Sequence, residues 1–385
     1  MTPIVSRTLT RRRFLKDSCA AALLLGGAAA AVSEAAERAE PPTDAQDADW
    51  GPFVGPWKRY AENPVMKIGD FNQSYSIQNG PQTVVRKDGR WYMTLMTATS
   101  YDTRLAVSDD GFRWRPSGHG PIIRADMPWE GRYALTKAVV PFGDGFRAYY
   151  FNKRGRIEDI CTAYSDDLIH WEKHPGPIFT ARDAKPDGER VFPGSAVQYD
   201  GKWYLFYDIA WDYGWRGIGP PPAPEFDYQQ ICVAVSDDGI HFEDSHKSPI
   251  LSPNEVGAWD GYLVAQCRVV PLGDWFYMLY SGMSRASVAS DGNRGPAGQR
   301  SDRYFQQIGL ARARHPEGPW EKYPGNPVFS PTGNPDDWDG GLLQHVCPVR
   351  IDGRWLFYYN GWNWTEKARN PVGAEYGIGI AIREE

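Results

Sequence analysis

Three carboxylates and one histidine in this chain stand apart from a pattern that most of its other acids obey: Asp70, Glu189, Asp208 and His345. Gathered at one opening they would perform general acid–base chemistry, in which one carboxyl gives up a proton while a second group accepts one. Glu189 is the expected acid. Val191 and Phe192 would wall it from water and raise its pKa, although Arg190 beside it pulls the other way. Asp208 or Asp70 is the expected base, and His345 an acid, a substrate contact or an ion ligand. The expected substrate contacts are Asn79, Lys137, Arg190, Trp211, Asp212, Gln266, Asn360 and Trp362.

The pattern these residues break is a fivefold repeat. Its phrase is an apolar strand, a Gly/Asp turn, an aromatic strand, a strand closing on Ser-Asp-Asp or its equivalent, a Trp or Phe, and a Pro-apolar strand. The prolines are Pro64, Pro121, Pro177, Pro249 and Pro327, and each is followed after 23 to 25 residues by a turn aspartate: Asp88, Asp144, Asp200, Asp274 or Asp352. Repeats of this length, built from short strands, predict an all-β, five-bladed β-propeller. The fifth copy stops after Ile378–Arg383, and its missing end stands at the other end of the chain. Gly55-Pro56-Trp57 and Asn63-Pro64-Val65 match Gly318-Pro319-Trp320 and Asn326-Pro327-Val328 in order and spacing. The last blade is therefore expected to borrow its fourth strand from the N-terminal segment, which removes an open sheet edge.

The repeat also sorts scaffold from site. Glu130, Asp260 and Asp339, each in a Trp-acid-Gly phrase, and the related Asp187 occupy one column in four blades. A single site has no use for one acid four times, so these and the Ser-Asp-Asp aspartates are expected to hold turns and blade seams. Candidates for function lie where columns break. One column reads Thr136, Pro193, Gln266 and His345; another reads Met96, Asn152, Asp208, Gly282 and Asn360, with Asp208 its only carboxylate. The long insertions, 209–229, 283–304 and 362–376, all fall between second and third strands, hence on one face. Trp211 and Trp362 in these loops offer flat rings on which the C–H faces of a sugar could stack.

Composition narrows the partners. The formal net charge is −6, and residues 1–36 are net basic, so the remainder is more acidic still and carries no basic stripe; nucleic acid is not an expected partner. Residues 1–36, with Arg11-Arg12-Arg13-Phe14-Leu15-Lys16 ahead of a short apolar run, read as a twin-arginine export signal. Residues 37–50 read as a linker and 51–385 as the propeller. No stable membrane anchor is expected after cleavage, and the expected location is periplasmic or secreted. Cys161, Cys232, Cys267 and Cys347 are expected as buried free thiols, with one disulfide as the alternative.

Ser165-Asp166-Asp167-Leu168-Ile169-His170-Trp171 followed by Gly176-Pro177-Ile178, with cousins at 108–114 and 236–242, resembles the blade signature of five-bladed β-propeller glycoside hydrolases. These include the arabinanase/xylosidase, invertase/levanase and mannoside-phosphorylase groups. The resemblance covers about residues 51–385 and implies a secreted carbohydrate-active enzyme with a poly- or oligosaccharide in an axial funnel. It also implies that no cofactor is required, with a Ca²⁺ on the propeller axis near His345 as a further option. The chain departs from that pattern at the family's three inner-strand carboxylates, where it reads Asn79-Gly80-Pro81, Leu135-Thr136-Lys137 and Val191-Phe192-Pro193. Cleavage of a glycosidic bond commonly uses two carboxyls, about 5 Å or about 6.5–9.5 Å apart. Either other positions supply them, or the chain is a non-catalytic carbohydrate-binding propeller.

Overall fold

The computed structural model describes residues 48–67, 69–71, 77–97, 101–154, 157–185, 190–210, 229–255, 258–283, 306–334, 336–362 and 376–384. Among them the only helix is a short 3₁₀ segment, Ala48–Phe53, whose Trp50 and Phe53 are buried against Tyr323 and Tyr277. Two short strands follow, β1 (Trp57–Arg59) and β2 (Met66–Lys67).

Five blades come next. Blade I is β3 (Ile77–Lys87), β4 (Arg90–Thr97), β5 (Thr103–Ser108) and β6 (Arg115–Pro116). Blade II is β7 (Tyr133–Phe142), β8 (Gly145–Arg154), β9 (Ile157–Ser165) and β10 (Glu172–Lys173). Blade III is β11 (Arg190–Tyr199), β12 (Lys202–Ala210), β13 (Gln229–Ser236) and β14 (Glu243–Asp244). Blade IV is β15 (Leu263–Leu272), β16 (Trp275–Met283), β17 (Gln306–Ala313) and β18 (Glu321–Lys322). Blade V is β19 (Leu342–Ile351), β20 (Arg354–Trp362) and β21 (Tyr376–Arg383), completed by β1 and β2. The innermost strands β3, β7, β11, β15 and β19 each touch the next, and β19 returns to β3.

The split fifth blade is as the repeat predicts. Strand β1 pairs antiparallel with β21, Arg59 opposite Ala381, just as Lys322 stands opposite Ala311 in blade IV. Asn63 exchanges hydrogen bonds with the backbone of Ile380 (2.8 and 2.9 Å), and Asn326 does the same with Leu310 (2.9 and 2.8 Å). The turn aspartates Asp88, Asp200 and Asp352 have φ of 47–49°, each followed by a glycine at positive φ. Two consecutive left-handed residues make the hairpin turn whose twist matches the strands it joins.

The repeated acids are structural, but in three blades they tie strands within one blade rather than the seams between blades. In blades II, IV and V the acid of the Trp-acid-Gly column accepts a buried tyrosine hydroxyl and a cation from the fourth strand. The sets are Glu130 with Tyr150 and Lys173, Asp260 with Tyr280 and Lys322, and Asp339 with Tyr359 and Arg59. A buried tyrosine hydroxyl needs a partner, and a buried carboxylate needs a charge. Blade III moves the acid to strand four, where Asp244 accepts Tyr207 Oη at 2.8 Å. The second aspartate of each Ser-Asp-Asp caps its own turn: Asp167 accepts the N–H groups of Ile169 and His170 at 2.8 Å. Burial pushes its pKa up, but those bonds outweigh it and hold the carboxyl far below the usual range. All four cysteines between 161 and 347 are buried free thiols.

Candidate active site

Each innermost strand slips register at the same level. The shifts fall at Asn79/Thr83, Thr136/Ala138, Pro193/Ser195, Ala265/Arg268 and Gln344/Cys347. A β-bulge kinks its strand and re-aims side chains. Five bulges around one axis therefore turn Gln82, Lys137, Gly194, Gln266 and His345 into a shared polar zone. Gln266 and His345 adopt φ of 57° and 54°, an uncommon conformation for residues with a Cβ and one that clusters at functional sites.

Arg268, the buried residue just past the bulge of blade IV, pins this zone. Its Nη1 donates to the carbonyl oxygens of Gly194 and Cys267, and its Nη2 to those of Gln82 and Lys137. One guanidinium thus binds backbone from four blades. A Cβ on Gly194 would lie 2.9 Å from Cys267 Sγ, so the close approach there requires glycine.

Above the pin, Asp208 of β12 is 3% exposed and accepts the backbone N–H of Gln266 with both oxygens, at 3.1 and 2.9 Å. Burial pushes its pKa up to about 7, against the downward pull of that N–H, Lys137 and Arg268. Lys137 is 8% exposed, and its ammonium makes no hydrogen bond among the described residues; burial lowers its pKa to about 7, opposed by the charges of Asp208 and Glu158 and helped by Arg268. Burial, with the positive charges of Lys137 and Arg268, keeps His345 well below the ordinary histidine range, as a neutral imidazole. A chain of amides runs on from Gln266. Its Nε2 reaches Gln344 at 3.4 Å, Gln344 donates to Asn360 Oδ1 at 3.0 Å, and Trp362 Nε1 donates to the same oxygen at 2.7 Å.

Six of the residues expected from sequence are thereby gathered at the axis: Asp208, Lys137, His345, Gln266, Asn360 and Trp362. Asn360 and the indole N–H of Trp362 are spent inside the network, Asn360 donating also to the carbonyl of Gly377. Arg190 lies at the seam of blades II and III, 3.9 Å from Glu158 and over the Phe192 ring. Asp70 sits in an exposed turn, where it accepts the N–H of Lys67 at 2.8 Å; no described hydrogen bond or ion pair joins it to the axial group. Asn79 lies at the bulge of β3, opposite Met96. Glu189, Trp211 and Asp212 lie outside the described residues.

Sequence reasoning missed two charged residues. Arg268 is the lone long side chain in a column otherwise formed by Thr83, Ala138, Ser195 and Cys347, and the column test applied to it would have found it. Glu158, buried beside Lys153 and Arg190, also acts on Lys137. The register corrects one column as well: Phe151 and Ser281, rather than Asn152 and Gly282, stand level with Asp208. Asn152 instead accepts the N–H of Gly131 at 2.8 Å.

The axial Ca²⁺ that the resemblance allows does not fit these residues. Hard cations take several oxygens, yet the inward carbonyls are bonded to Arg268, and a dication there would face that guanidinium and Lys137. Among the described residues no three His, Cys, Asp or Glu side chains are placed to hold a metal.

The fold is that of the five-bladed propeller glycoside hydrolases. A thermostable family-43 glycoside hydrolase matches 78% of this chain and 88% of its own, with a TM-score of 0.56 and 20% identity. A protein described under the GH130 mannoside phosphorylases, a family containing hydrolases that target β-1,2 mannosidic linkages in Candida mannan, matches 86% and 94%, with a TM-score of 0.58 and 18% identity. In sequence, residues 149–260 match the glycosyl hydrolases family 32 N-terminal domain. Sucrose-6-phosphate hydrolase of Escherichia coli is 38% identical over 94 residues, a match spanning 24% of this chain and 18% of that protein.

Proposed function

We propose that this chain is a carbohydrate-active enzyme of the glycoside-hydrolase kind, exported by the twin-arginine route, that acts on a poly- or oligosaccharide held over the propeller axis. Asp208 carries the reading. It is the only carboxyl in its column, it is buried at the axial bulges, and it stays protonated to about neutral pH, as a general acid must. Glu158, whose charge also acts on Lys137, is a described candidate for the second carboxyl; Glu189 is the candidate from sequence. His345, held neutral and buried at the axial bulges, is a candidate for positioning these groups.

A second reading is a non-catalytic saccharide-binding propeller. The bonding of both Asp208 oxygens to one backbone N–H favours it, as does the absence of acids at Asn79, Thr136 and Phe192. Incubation of the purified protein with a polysaccharide panel, followed by reducing-end detection and calorimetry, separates the two. Turnover that drops about 10²–10⁴-fold in Asp208→Asn supports the enzyme. Binding without turnover selects the second reading, and neither binding nor turnover contradicts both. Export is tested by Arg11→Lys with Arg12→Lys, which should hold the protein in the cytoplasm; unchanged periplasmic yield contradicts the twin-arginine route.

A further inference from the structure

Blades I to III build a shelf beside the axial group that the sequence did not reveal. Tyr101 and Tyr133 lie with ring centroids 4.1 Å apart, Tyr133 stacks on Phe151 at 6.4 Å, and Phe151 meets Phe192 edge-on at 5.3 Å. Each ring carries a cation: Arg132 over Tyr101 (4.3 Å), Lys153 over Tyr133 (5.6 Å), Lys137 over Phe151 (5.7 Å) and Arg190 over Phe192 (5.6 Å). Tyr101, Tyr133 and Phe192 are half-buried, so ring surface remains for a ligand.

The charges of this shelf are unevenly matched. Glu158 serves both Lys153 and Arg190, and Asp208 faces Lys137 with Arg268 also present. Arg132 is exposed and has no acid partner among the described residues. Arg132 thus stands exposed beside the rings with no described carboxylate against it, on a protein whose overall charge is negative. Such a charge on an otherwise acidic body focuses anions onto that surface.

We propose, building on the saccharide reading above, that this shelf selects an acidic saccharide, stacking its ring on Tyr101 and Tyr133 and placing its carboxylate or sulfate against Arg132 and Lys137. Aromatic faces supply affinity for the C–H side of a pyranose, and the exposed cation supplies the preference for charge.

The test is calorimetry of the full chain with two matched pairs of probes. One pair is oligogalacturonate and its methyl ester; the other is a sulfated carrageenan oligosaccharide and its desulfated form. The charged member of one pair should bind at least about tenfold more tightly than its neutral twin, and which pair does so separates carboxylate from sulfate as the source. Raising NaCl from about 0.05 to 0.5 M should weaken that binding several-fold, since screening acts on exposed charges. Arg132→Gln should lower affinity for the charged member about fivefold, leave the neutral twin and the melting temperature unchanged, and be rescued in part by Arg132→Lys. Equal affinity within both pairs overturns the acidic preference while leaving the saccharide reading intact. Absence of binding to all four probes, with turnover or binding on neutral glycans elsewhere, overturns it too; absence of any saccharide binding at all overturns both.

Discussion

The rim and the axis of this propeller use charged residues in opposite ways. At the rim the same acid–tyrosine–cation set recurs at Glu130, Asp260 and Asp339, and each set fastens its own blade. At the axis, equivalent positions carry unlike residues: Pro81, Thr136, Pro193, Gln266 and His345 in one column, and Met96, Phe151, Asp208, Ser281 and Asn360 in the next. Repetition marks what every blade needs to stand. Divergence within a column marks what the molecule does once. Arg268 belongs to both, since it is a single residue that ties four blades together beneath Asp208.

The largest effect is expected at the ring closure. Deleting residues 51–66 removes Arg59 and Asn63 together with β1 and β2, and leaves β21 with an open edge. Cooperative unfolding should disappear in a thermal melt; a truncated protein melting within a few degrees of the parent contradicts the closure. Next in size is Arg268→Met. It leaves the inward carbonyls of Gln82, Lys137 and Gly194 without their donor and should cost about 3–5 kcal/mol in denaturant unfolding. A loss under about 1 kcal/mol would mean that the guanidinium does not hold the axis. At the rim, Tyr280→Phe removes one hydroxyl from Asp260, which keeps Lys322 at 2.7 Å. That change should cost about 1 kcal/mol and leave turnover alone; a drop in turnover beyond about threefold would erase the division between rim and axis.

The smallest of these effects, and the most specific, concerns pH. Asp208 is protonated below about pH 7, so activity that needs it as an acid should decline above that value. The positive charge of Lys137 lowers the Asp208 pKa, so Lys137→Met removes a downward pull and should move the alkaline limb to higher pH. A limb that moves down instead contradicts the placement of these two groups.

What was legible in the sequence follows the same division. Five copies of one phrase declare the blades, and the split fifth copy declares the closure, because repetition is visible without coordinates. The column holding Gln266 and His345 could be counted, since all the inner strands slip at one level. The strand-two column was off by one residue in blades II and IV, where Phe146 and Phe276 are level with Trp203 and lie five residues before Phe151 and Ser281. Arg268 was not legible as a pin, because its partners are backbone carbonyls, which no residue name announces. The aromatic shelf was missed because Tyr101, Tyr133, Phe151 and Phe192 come from three blades and meet only across seams. Asp70 lies outside the repeat, and its carboxylate closes a surface turn by accepting the N–H of Lys67.

Asp208, the odd carboxyl of its column, is proposed to perform the proton transfer at the axis. Single-turnover rates of the parent and Asp208→Asn on the best glycan substrate, measured from pH 5 to 9, test it most directly. The variant should lose about 10²–10⁴-fold and the alkaline limb near pH 7, with its melting temperature unchanged within a few degrees. A variant that turns over at near-parental rate, with the alkaline limb still in place, would contradict it.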